Sequence, residues 1–259
     1  MFNKLFKISY TILIALYLFS IFQTNKLPGK NEINKNLFLD PIQTKSNNED
    51  FDFDYRGKNY KVHPLADYEL WGLVVSVNNI NAWYNYYHDE NAVNLKDVCV
   101  IWGDNISNEI YLHPNTKIKN GEWTCYYQWQ TKNGSKIFPN KLSNNHLLTA
   151  DEEIQEIIRN IHKGDQIHLK GFLVDYAEGS SDWYRKTSLS RSDSNQTSRS
   201  GGACEIVYTN EIELLKQNQN FFYLIKKWSK NIFFSLFLIQ FLLSLKSIFS
   251  NKSLFKQNF

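Results

Sequence analysis

The sequence predicts a small, mainly β domain with one or two helices, set between two apolar terminal helices. Three observations carry that expectation. Short runs rich in β-branched and aromatic residues recur between residues 58 and 215. One central segment, 149–164, has the period and both end signals of a helix. A long uncharged apolar run lies near each end of the chain.

The chain has 259 residues and a formal net charge of +3. That charge is too small to point to nucleic acid or an acidic substrate by itself. No Walker loop, dinucleotide glycine pattern or Gly-x-Ser-x-Gly elbow is present. The cysteines, Cys99, Cys125 and Cys204, form no CxxC pair and have no histidine at ligand spacing. Neither a zinc site nor any other cofactor is expected.

Residues 8–25 lie uncharged between Lys7 and Lys26. As a helix they would span about 27 Å, close to the hydrocarbon thickness of a bilayer. Basic residues precede the run and no small-x-small cleavage site follows, so it reads as a transmembrane helix or uncleaved signal anchor. Residues 26–57 are polar, mixed in charge and without a period, and read as a flexible linker.

The domain is expected to occupy 58–215. Asn59–Val62 reads as an edge strand and Asp67–Ile80 as a second strand, with a bulge or bend at Gly72. An aromatic, polar excursion follows through Trp83, Tyr84, Tyr86 and Tyr87. Asp97–Gly103 is a strand, Glu109–Pro114 a short segment stopped by its proline, and Trp123–Trp129 an alternating strand.

Thr149-Ala-Asp151-Glu152 then reads as a capping box with Thr149 at the N-cap. Ile154, Ile157, Ile158 and Ile161 make one apolar stripe, and Gly164 suits the C′ position. Asp165–Tyr176 is a strand whose apolar parity changes at Gly171, which predicts a glycine bulge. Trp183–Ser190 and Ala203–Leu215 complete the strands, separated by a Ser/Arg loop. Residues 216–230 form a juxtamembrane helix and 231–246 a second transmembrane helix, flanked by Lys230 and Lys246.

Strands, one capped helix and then a GDxIxLxGxLxxY strand resemble an OB-like small β-barrel, which carries its helix between the third and fourth strands. An α+β sandwich is the alternative. Ser143-Asn-Asn-His146-Leu, Gly164-Asp165, Lys170-Gly-Phe-Leu-Val, Thr187-Ser-Leu-Ser-Arg191-Ser-Asp193 and Gly202-Ala-Cys-Glu205 further resemble an uncharacterised family of bacterial membrane-tethered proteins, over roughly residues 60–210. That resemblance implies membrane anchoring and no particular activity.

The candidate binding residues are Asn145, His146, Arg185, Arg191, Arg199, Trp183 and Tyr184. His146 reads as a loop histidine that pins the helix entry. It would become a general base only with a carboxylate or hydroxyl within about 3 Å. Arg185, Lys186, Arg191 and Arg199 with nearby serines suit an anion. The tryptophans and tyrosines suit stacking on bases or sugars, or else simple core filling. Cys99 and Cys125 lie on successive predicted strands and form a possible disulfide if the domain faces an oxidising compartment. His168 is expected on the solvent face of its strand.

The expected protein is anchored in the bacterial inner (cytoplasmic) membrane, with both termini inside and the domain on the extracytoplasmic side. There it would bind or scaffold another envelope protein, without catalysis. The alternatives are an oligosaccharide- or nucleic-acid-binding module and a hydrolase using His146. The bilayer is the expected lipid partner.

Overall fold

The computed structural model describes residues 2–78, 80, 92–121, 124–129, 136–181, 184–189, 204–218 and 220–256. Its helices and strands, in chain order, are α1 (Phe2–Thr24), β1 (Ile42–Lys45), β2 (Phe51–Tyr55), β3 (Lys58–Asn78), β4 (Lys96–Ile101), α2 (Asp104–Ser107), β5 (Lys117–Asn120), β6 (Cys125–Gln128), β7 (Leu142–Leu148), α3 (Glu152–Arg159), β8 (Gln166–Glu178), β9 (Glu205–Lys216) and α4 (Asn220–Lys256). The protein is mixed α/β and mostly sheet. It divides into a helical unit, Met1–Lys26 with Gln219–Phe259, and a sheet domain, Leu27–Asn218.

In the helical unit α1 and α4 run antiparallel. Phe19 meets Phe222 with ring centroids 5.7 Å apart, and Tyr10 meets Phe233 at 5.2 Å. The Tyr10 hydroxyl donates to Gln240 Oε1 at 2.8 Å. Lys4–Thr24 and Phe221–Lys246 have mean hydropathies of 1.9 and 1.4 and are long enough to cross a membrane. The expected break between a juxtamembrane helix at 216–230 and a span at 231–246 is absent. β9 runs to Lys216, and one continuous helix then begins at Asn220.

In the sheet domain, β3 pairs with β4, β4 with β7, β7 with β9, β9 with β8, and β8 returns to β3. The path is cyclic. Only β7–β9 is parallel within it. β1 and β2 add to β3, and β5–β6 forms a separate hairpin. Leu70, Val98, Val100, Leu147, Leu169 and Val207 from the cyclic strands share one core with Ile158 and Ile161 from α3 and the turn after it.

β3 is a single 21-residue strand rather than the two expected. Pro64 has no N–H for a ladder, and the pairing with β8 slips between Pro64 and Ala66, which lets the strand continue. The β8–β9 ladder shifts between Lys170 and Gly171. A Cβ on Gly171 would stand 2.0 Å from the Tyr208 carbonyl oxygen, so only glycine fits there. Gly72 serves a different end from the predicted bulge. Its missing Cβ lets β3 approach Val100, whose Cβ would be only 3.0 Å away.

The linker reading of 26–57 is corrected. β1 and β2 pair with β3, and Leu37 is fully buried. Asn34 N–H donates to Gln166 Oε1 at 2.7 Å, and Gln166 Nε2 donates to Glu32 O at 3.0 Å. Strands of four or five residues carry too little period to be seen in a polar stretch. Ile110–Leu112 is a short 3-10 turn. The α3 N-cap is Asp151, not Thr149: the Asp151 carboxylate accepts from Glu153 N at 2.9 Å and Ile154 N at 3.0 Å.

Candidate functional site

The largest departure from expectation concerns Ser143–His146. It is not a loop ahead of the helix. Leu142–Leu148 is a strand buried along its whole length, between β4 and β9. Four consecutive polar residues in such a strand need partners, since a buried polar group without one is costly. The antiparallel register with β4 sets Asp97 opposite His146, Val98 opposite Asn145 and Cys99 opposite Asn144. Directly opposed side chains share a face, so the register alone brings Asp97 to His146.

His146 Nδ1 is hydrogen-bonded to Asp97 Oδ1, and both residues have no exposed surface. A carboxylate only accepts, so the Nδ1 hydrogen points at Asp97. In a neutral ring that leaves Nε2 with its lone pair. Among the described residues Nε2 has no hydrogen-bond partner. Asn78 Nδ2 donates to the other Asp97 oxygen at 3.4 Å. A carboxylate holding an imidazole in this way fixes its ring orientation.

Tyr176 and Arg185 lie beside this pair. The two residues exchange main-chain hydrogen bonds, Tyr176 N to Arg185 O at 3.0 Å and Arg185 N to Tyr176 O at 2.8 Å. Burial pushes the Tyr176 phenol up, while the charge and hydrogen bond of the Arg185 guanidinium pull it down. The Asp97 carboxylate is near enough to raise it further. Thr187 joins the same edge. Its amide donates to Asp175 Oδ1 at 2.8 Å, and its hydroxyl oxygen accepts from Ile206 N at 2.8 Å.

The other candidates disperse. Asn145 faces away from His146, as its neighbour on a strand must. It donates to Ser143 Oγ at 2.9 Å and sits in register with the buried Glu205 of β9. Tyr184 is half-buried, and Lys186 is exposed. The Arg185 guanidinium hydrogen-bonds the Tyr176 phenol. Arg191, Arg199 and Trp183 lie outside the described residues, as do Trp83, Tyr84, Tyr86 and Tyr87. His168 is half-buried: its Nε2 bonds Glu69 Oε1 at 2.7 Å, and its ring stacks on Trp71 at 4.6 Å and 6°.

Cys99 and Cys125 form a disulfide with Cα atoms 5.9 Å apart. Their strands are not paired. β6 pairs with β5 alone among the described residues, so the bridge ties that hairpin to β4. Cys204 is buried and lies near Asn144 Nδ2 at 3.6 Å. Among the described residues no three His, Cys, Asp or Glu side chains gather as metal ligands.

Sequence reasoning missed Asp97 entirely. It stands 49 positions from His146, and only the strand register relates them. No protein-family model matches the chain, and neither a curated protein nor a solved structure is similar to it.

Proposed function

We propose that this is a membrane-anchored protein whose Leu27–Asn218 domain is an OB-type barrel that binds or scaffolds another envelope protein. One observation carries the anchoring: an apolar helix long enough to span a bilayer precedes the domain, and another follows it. The barrel reading is supported by the cyclic strand order, by α3 lying between the third and fourth strands of the cycle, and by the parallel pairing of the third with the fifth. Binding rather than catalysis is favoured because His146 and Asp97 have no exposed surface.

The domain is assigned to the extracytoplasmic side of a bacterial cytoplasmic membrane. The Cys99–Cys125 bridge supports an oxidising compartment. A topology reporter active only outside the cytoplasm tests this. Fused after residue 50 it should be active, and fused after Phe259 inactive. Activity at the C-terminus alone would overturn the assignment.

A second reading is a hydrolase using His146, favoured by the Asp97 contact and the unpartnered Nε2. A third is oligosaccharide or nucleic-acid binding through the tryptophans and tyrosines, of which Tyr184 alone lies among the described residues.

A further inference from the structure

Away from the Asp97–His146 pair, the domain has a small pocket lined by Leu27, Val75, Tyr111, Thr116, Ile118 and three lysines, Lys117, Lys119 and Lys163. Its volume is about 180 Å³. That is about six times the share of liquid one water occupies, about 30 Å³, and enough for a phosphate-sized group. Lys117 and Lys119 are exposed and project from the same face of β5, as alternate residues of a strand do. Thr116 Oγ1 is buried and has no hydrogen-bond partner among the described residues.

Two carboxylates are held by backbone amides close to the lining. Glu109 and Glu32 both act on Tyr111. Yet Glu109 accepts from Lys30 N at 3.0 Å, and Glu32 from Gly29 N at 2.9 Å. Burial pushes the Lys163 amine down from its ordinary value, an imbalance that an anion beside it would relieve.

The pocket's place in the chain says where such an anion would come from. Leu27 directly follows Lys26, the last residue of the helical unit on that side. Lys163 O accepts from Asn218 Nδ2 at 3.2 Å, and Asn218 is the last residue of the domain before α4. The first residue of the domain thus lines the pocket, and its last residue bonds one of the lining lysines.

We propose that this pocket receives the phosphate of an anionic lipid headgroup, with Lys117, Lys119 and Lys163 supplying charge and Thr116 a hydroxyl donor. The inference rests on the membrane-anchored reading, because the chain meets lipid headgroups only if α1 and α4 span a bilayer. β5 reaches the pocket through fixed attachments. Asn120 N donates to Ser76 Oγ at 3.1 Å, Asn120 Nδ2 donates to Asn144 Oδ1 at 2.9 Å, and the Cys99–Cys125 bridge holds the partner strand.

The test uses the full chain in nanodiscs of phosphatidylcholine, with or without phosphatidylglycerol, and follows lysine acylation by mass spectrometry. Phosphatidylglycerol should slow acylation of Lys117, Lys119 and Lys163 about fivefold, the scale of one lysine–anionic-surface interaction. Exposed Lys61 should be unchanged. Thr116→Val should weaken the protection. Protection by inorganic phosphate in phosphatidylcholine discs, equal to that by phosphatidylglycerol, would overturn the lipid source in favour of free phosphate. Equal rates in all discs would overturn the site itself. Failure of the chain to resist carbonate extraction from membranes would instead overturn the anchored reading on which the inference depends.

Discussion

Lys96 and Asp97 are neighbours on β4 and both are buried, yet they meet opposite conditions. Strand alternation sends their side chains to opposite faces. Lys96 Nζ donates to Arg159 O at 2.5 Å and Ile161 O at 2.8 Å. These carbonyls belong to the last turn of α3 and the turn beyond it, where helix carbonyls lack internal partners and the dipole favours a cation. Asp165 stands in the following turn, accepting from His162 N and Asn218 N, each at 2.7 Å. On the other face Asp97 bonds His146, and Nε2 is left over. The contrast separates two uses of buried charge. One group is occupied by the fold around it. The other is aimed and keeps a nitrogen with no hydrogen-bond partner among the described residues.

The comparison breaks first at Asp97. Asp97→Ala leaves the buried His146 N–H without its acceptor and should cost about 3 kcal/mol, the upper end for an unsatisfied buried donor. Thermal unfolding of the detergent-solubilised chain, followed by tryptophan fluorescence, measures it. A loss near zero would show that the pair contributes nothing to folding and exists for another purpose.

Lys96→Met should cost less, about 1–2 kcal/mol, because it strands two carbonyls, which tolerate a missing partner better than a buried N–H does. It also carries a pH signature. Burial lowers the Lys96 amine to about 8, while the Asp165 carboxylate raises it. Between pH 8 and its ordinary value of 10.5 the unfolded chain holds a proton the folded chain has lost. Stability should therefore rise across that window. The rise should vanish in the methionine variant, and stability scans from pH 7 to 11 check this.

Asp165→Asn is the mildest. One of two backbone donors loses its acceptor, at about 1 kcal/mol. Burial raises the Asp165 carboxyl to about 6, against hydrogen bonds from Asn218 and His162 and the Lys96 charge, all of which lower it. The folded chain then binds more protons than the unfolded one between 3.8 and 6, so stability falls as pH rises through that window. The asparagine variant should flatten the fall. A slope unchanged between pH 4 and 6 would assign it to another group.

The stretch around α3 shows what was legible and why. Ile154, Ile157, Ile158 and Ile161 lie on the helix or just beyond it, and all pack on the core. The Gly171 register shift was readable from a parity change within one strand. These features depend on neighbours a few residues apart, so local periodicity records them. The cap moved from Thr149 to Asp151 because both are good acceptors two positions apart, and only the entering backbone decides between them.

The sequence by itself determined the apolar end segments, the strand-rich middle and the amphipathic helix, all fixed by short-range pattern. Tertiary structure decided the rest. It drew 27–57 into the domain, closed β8 back onto β3, and buried Asn144, Asn145 and His146 in a central strand. It also set Asp97 against His146 and gathered Lys117, Lys119 and Lys163 around one pocket. Each of these depends on pairing between distant strands. A slip of one residue in that register turns every side chain to the other face, and nothing local in the chain records which register wins.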